Sequence, residues 1–240
     1  MASKDVEIVE ILSLKKGRYT VVAGFGGPGF VGCTAVMYIA RGMELKQHAY
    51  MRSQLIPPMM ILIDGRPNYA FRIYVEEKEK LILVTSETLL ITENAWSIGK
   101  ELMDWLLDKG AKTFISIEGM PFGVVPRERP VLGFSTDKRD LTQFDVKPTE
   151  EGAVSGLNAS LLEECLNRGL SYTTLFVPTD LVSAIDYGGA AAVIEVLNRM
   201  FQLEVDVAPL RQRDEMVRRV AMRRRRGEPR GLLDALRRRF

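Results

Sequence analysis

Five glycines, Gly24, Gly26, Gly27, Gly29 and Gly32, crowd into the stretch GFGGPGFVG at residues 24–32. Gly24, Gly26 and Gly29 spell G-x-G-x-x-G, a spacing that lets main-chain N–H groups close around a pyrophosphate between a strand and a helix. YTVVA before the loop and FVGCTAVMYIARG after it supply that strand and helix. The dinucleotide form also needs an acidic residue about 20 positions on, ending a second strand, to hold a ribose. Glu44 has the spacing, but it follows the helix and precedes any strand, and the second strand ends near Arg52. The lysine and serine pair of a P-loop is missing. The competing reading is architectural: glycines permit positive φ and close backbone approach, and Pro28 favours entry into a first helical turn. The architectural reading is preferred over a dinucleotide site, while a bound anion at the loop Gly24, Gly26, Gly27 and Gly29 stays open.

Other reactive side chains are sparse. His48 is the single histidine, and without a G-x-S-x-G elbow a Ser-His-Asp relay has no frame. In HAYM it is expected on a strand surface. Cys33 and Cys165 are far apart in sequence, which suggests reduced thiols and leaves a zinc site short of ligands. Glu163 and Glu164 point about 100° apart on a helix and read as a solvated face. No catalytic residue, metal ligand set or cofactor is therefore expected.

The elements that would position these residues alternate. Val6–Leu12 and Tyr19–Ala23 read as strands and Phe30–Gly42 as a helix stopped by its glycine. MMILID, YAFRIYV and LILVTSE read as strands, with Asp64-Gly65 as a hairpin turn between the first two. Glu93–Gly110 sets Ala95, Ile98, Leu102, Trp105 and Leu106 on one helical face. KTFISIEGM and LSYTTLFVP are further buried strands, and Gly156–Gly169 and Tyr187–Phe201 are helices. Between Pro121 and Lys147 only VLGFST suggests a strand. This order predicts one α/β domain with a mixed sheet flanked by helices, spanning 1–208. Residues 209–240 form an Arg-rich helical C-terminal arm that opens near Pro209 and is interrupted by Gly227 and Pro229.

Charge separates body from arm. Residues 211–240 hold twelve arginines against Asp214, Glu215, Glu228 and Asp234, a net +8; with +2 for the chain, the rest carries −6. A basic arm on an acidic body implies a partner for the arm, or folding of the arm onto its own body or a second copy. Nucleic acid is one possible partner through phosphate contacts, but the tail lacks interleaved aromatics for stacking on bases. At its end Leu232, Leu236 and Phe240 make one apolar stripe beside an arginine face. The uncharged run Tyr19–Ala40 is long enough to span a bilayer, yet its five glycines and Pro28 would break a helix where lipid offers no hydrogen bonds. The charged opening MASKDVEIVEIL does not suit a signal peptide, so a cytoplasmic location is expected.

Three stretches together, GFGGPGFVGCTAVMYI, EEGAVSGLNASLLEECLNRGLSYTTLFVPT and IDYGGAAAVIEVLNRMFQLEVDVAPL, resemble the proteasome assembly chaperone two family, in its archaeal, ATP-independent form. The resemblance runs from about Val6 to Leu210. It implies a fold similar to nucleoside phosphorylases, a non-enzymatic chaperone role, homo-oligomers, and docking on proteasome α-subunits. It also implies that the glycine loop is family architecture. Docking proteins of α-ring pockets often end in hydrophobic–tyrosine–any residue with a free carboxylate. Here the corresponding residues are Arg238, Arg239 and Phe240, so only a terminal aromatic with its carboxylate is kept. Leu232, Leu236, Arg238, Arg239 and Phe240 are accordingly the candidate docking residues, with helix-in-groove binding as the alternative use of the stripe. A nucleotide- or phosphate-binding protein using the loop, and an RNA-binding protein using the tail, are the competing functions.

Overall fold

The computed structural model describes residues 6–225, apart from 91, 124, 127 and 181–183. The first half of the chain forms β1 (Val6–Glu10), β2 (Tyr19–Phe25), α1 (Val31–Gly42), β3 (Gln47–Ser53), β4 (Met60–Ile63), β5 (Arg66–Tyr69), β6 (Phe71–Glu76), β7 (Leu81–Ser86) and α2 (Thr92–Asp108). The second half forms β8 (Ala111–Pro121), β9 (Val131–Ser135), β10 (Val146–Pro148), α3 (Gly156–Asn167), β11 (Ser171–Thr179), α4 (Tyr187–Phe201) and α5 (Ala208–Arg225). As the sequence pattern predicts, this is a single α/β domain built on a large mixed sheet.

Nine strands lie in the order β1-β3-β6-β7-β2-β8-β11-β9-β10. The centre is parallel, β7 beside β2, β2 beside β8 and β8 beside β11, while β6 and β9 run antiparallel on its two sides. Parallel neighbours need crossovers, which the helices provide and which cover both faces of the central strands. Consecutive residues of β2 show the consequence. Val22 points to a core shared with Val36 and Ile39 of α1 and Val193 and Ile194 of α4. Its neighbours Val21 and Ala23 point to the opposite core, with Ile98 and Leu102 of α2 and Leu157 and Leu161 of α3. Ile39, Ile98 and Leu102 are completely buried, and each such side chain contributes about 1.5–3 kcal/mol.

Several expectations shift. Gly24 lies inside β2, which continues to Phe25 because Gly24 pairs with Thr85 and Ile117 on its two sides. The Asp64-Gly65 turn does close a hairpin, with both residues at positive φ. Its second strand, however, is β5, and β4–β5 forms a separate two-stranded sheet. Phe71–Glu76 belongs instead to the main sheet as β6. His48 on β3 is buried, not on the strand surface, and its Nδ1 lies 3.0 Å from the Lys46 carbonyl oxygen. β10 is a three-residue edge strand, too short to leave a period in the sequence. No described helix is long and apolar enough to cross a membrane.

Candidate functional site

The glycine loop sits at the carboxyl ends of the parallel strands, where open α/β sheets commonly place ligands. A Cβ on Gly24 would collide with the carbonyl oxygen of Gly32 in α1 and approach Val36 Cγ2 to 2.8 Å. One on Gly26 would meet the Glu87 carbonyl oxygen at 2.9 Å. Gly29 has φ +65°, and a Cβ there would lie 2.7 Å from Thr179 Oγ1. Close packing explains each of these three glycines: Gly24 lies against α1, Gly26 against the segment after β7, and Gly29 against the end of β11 and Asp186. Gly27 is different: its φ of −170° is ordinary extended backbone, and a Cβ would meet nothing within 4 Å. Of the loop's N–H groups, that of Gly26 donates to the Ser86 carbonyl and that of Phe30 to the Gly27 carbonyl.

Beside the loop opens a cleft of about 250 Å³, between Gly26–Gly27, the segment Thr88–Leu90 after β7, and Ser155–Asn158 at the start of α3. Glu118 of β8 faces it and is 9% exposed. Asn158 Nδ2 donates to Glu118 Oε1 at 2.8 Å and to the Ile117 carbonyl at 3.4 Å. Asn158 is itself buried, and its Oδ1 has no partner. Burial pushes the Glu118 carboxyl up to about 7, against the opposing effect of donors from Asn158 and the Ser155 main chain. Folded Glu118 therefore binds its proton more tightly than the unfolded chain does. Its contribution favours folding below pH about 4.5 and is lost as pH rises through about 7, a change of roughly 3 kcal/mol at most. Thermal melts at pH 5 and pH 8 should show Glu118→Gln gaining stability relative to wild type at the higher pH. An unchanged difference between the two proteins would remove this assignment.

On the other side of the loop lies a buried ion pair. Asp186 caps α4, accepting from the Gly189 N–H at 2.8 Å, and its own N–H donates to the Gly29 carbonyl at 2.8 Å. Thr179 Oγ1, at the end of β11, donates to Asp186 Oδ2 at 2.8 Å. Arg129 reaches both carboxylate oxygens, at 3.1 to 3.3 Å, and donates to the Pro126 carbonyl at 2.6 Å. Neither the Arg129 nor the Asp186 side chain is exposed to solvent. From there charges continue to the arm: Asp180 lies 3.8 Å from both Arg129 and Arg218, and Arg218 Nε donates to Asp214 Oδ2 at 2.8 Å. Asp214 of α5 is buried against Gly188, where burial pushes its carboxyl up and Arg129 pulls it back. Arg211–Glu195 and the buried Leu210 complete the seating of α5 on α4. The base of the arm, from Leu210 to Arg218, is thus anchored on the body. Leu232, Leu236, Arg238, Arg239 and Phe240 lie outside the described residues.

Cys33 and Cys165 are buried free thiols, both pushed up to about 12 mainly by desolvation, which makes them poor nucleophiles. No group of three metal-ligating side chains occurs among the described residues. Glu163 is exposed, and Glu164 pairs with Arg168. Sequence reasoning missed Glu118, Asn158, Arg129 and Asp186 as a group. The S-G-L-N and I-D-Y-G-G segments contain Asn158 and Asp186, but nothing in them announces the partners, which lie 40 and 57 residues away.

The model described as the PAC2 family matches residues 21–224. This chain belongs to the PAC2 family. The resemblance seen in its three stretches is therefore borne out. An uncharacterized protein of Methanocaldococcus jannaschii is 26% identical over 216 residues, 89% of this chain and 88% of that protein. The crystal structure of PbaA from Pyrococcus furiosus, described as an archaeal homolog of proteasome-assembly chaperone, superposes with a TM-score of 0.80 at 28% identity. It covers 97% of this chain and 95% of PbaA. PbaB of the same organism, described as an archaeal proteasome activator, is similar in fold alone, with a TM-score of 0.81 at 19% identity over 92% of this chain and 99% of PbaB.

Proposed function

We propose that this PAC2-family chain is a non-enzymatic, chaperone-like protein that self-associates and binds α-subunits of the core proteasome. The observation that carries this reading is its near full-length similarity to PbaA, an archaeal homolog of proteasome-assembly chaperone. The chemistry of the chain agrees with it. The two thiols are buried and held protonated, the one histidine is buried, and the loop glycines other than Gly27 serve close backbone packing. The arm, residues 209–240, is proposed as the docking element. Its described part is a basic helix whose base is anchored through Asp214 and Arg218. The candidate docking residues Leu232, Leu236, Arg238, Arg239 and Phe240 follow it in sequence.

Affinity isolation of the full-length protein followed by mass spectrometry should enrich α-subunits, and deletion of residues 228–240 should reduce that enrichment at least tenfold. Equal capture by the truncated protein would remove the arm from this role. Enrichment of ribosomal proteins or RNA in place of α-subunits would overturn the reading.

A further inference from the structure

The cleft beside the glycine loop is not used by any step of partner docking through the arm, and its chemistry is one-sided. Its charged group is the Glu118 carboxylate, and no lysine or arginine lines it among the described residues. The Asn158 amide is oriented by its two acceptors: Nδ2 must face Glu118 Oε1 and the Ile117 carbonyl, because the reverse orientation would set oxygen against oxygen. That leaves Oδ1, on a side chain only 3% exposed, as an acceptor with no donor. Buried acceptors are nearly always satisfied, by protein, water or ligand. The Thr88 and Ser155 hydroxyls can work either way, and Phe25, Leu90 and Leu157 make the remaining wall apolar. Gly27, which the fold does not require to be glycine, leaves the mouth open.

We infer that this cleft is a binding site for a small organic cation, a primary ammonium or guanidinium group on a short apolar stem. The N–H donors of such a group meet Glu118, beside Asn158, while the stem lies on the leucine and phenylalanine wall. The volume suits a molecule smaller than a typical drug. An anion would face the carboxylate with no side-chain cation to offset it. This sign of charge is opposite to the one that the G-x-G-x-x-G spacing suggests, and the inference does not depend on the proteasome reading.

The test is titration calorimetry of the full chain at pH 8, where Glu118 is ionised, with n-butylamine and guanidinium, and with inorganic phosphate as the anionic control. Two variants accompany wild type after their melts confirm folding: Glu118→Gln, which removes the charge, and Gly27→Leu, which fills the mouth and leaves the polar pair intact. At least one of the two cations should bind wild type with a millimolar dissociation constant and at least tenfold more weakly in both variants, and phosphate should give no heat above dilution. The inference is overturned if neither cation binds, if phosphate binds, or if either variant keeps wild-type affinity.

Discussion

Asp186→Ala is expected to destabilise the chain by about 3–5 kcal/mol, the effect of stripping a buried charge of its partner. The carboxylate satisfies Arg129, Thr179 and the first turn of α4 at once. Without it the Arg129 side chain, wholly buried, keeps among the described residues the Pro126 carbonyl as a close acceptor and Asp180 at 3.8 Å. The α4 N-terminus loses its cap in addition. Urea unfolding would read the loss as a lower midpoint with an unchanged slope. The double variant Asp186→Ala with Arg129→Met should recover much of the stability, since a matched apolar replacement leaves no orphan charge. A single-variant effect below about 1 kcal/mol would mean that the pair does not hold loop, sheet and helix together.

Gly24→Val is expected to be comparably severe, about 3 kcal/mol or more, through overpacking that rotamer changes cannot relieve. The new Cβ meets a main-chain oxygen, that of Gly32, so α1 itself must move off β2. Val36 and Ile39 would then lose their packing against the strands. Gly27→Ala provides the contrast: open space and extended φ predict a neutral change or a small gain, up to about 1 kcal/mol, from a less flexible unfolded chain. Calorimetric melting of both variants distinguishes the readings. Equal losses at Gly24 and Gly27 would contradict the division of the loop into closely packed glycines and one open position.

The fold was legible where periodicity was long. YTVVA, KTFISIEGM and LSYTTLFVP are apolar on consecutive residues because both faces of their strands are covered, and helix patterns separate them in sequence. The short elements were not legible. β5 reads RPNY and β10 reads VKP, and each is a strand because of what it pairs with. The glycine loop was legible as a turn between strand and helix, but spacing alone does not distinguish a phosphate cradle from a backbone crossing. That difference lies in Gly32 and Val36, eight and twelve residues on, which no local pattern couples to Gly24. The cleft was hidden for the same reason. Glu118 reads as one polar position in a strand and Asn158 as a residue of a helix start, and only the sheet order brings them within 2.8 Å.

Light scattering coupled to size exclusion, on the purified full-length chain mixed with purified proteasome α-subunits from the same organism, tests the central claim most directly. A chaperone-like PAC2 protein should elute alone as a homo-oligomer and, with α-subunits, as a larger complex of defined stoichiometry without added nucleotide. Two species eluting independently at micromolar concentration and moderate salt would contradict the account.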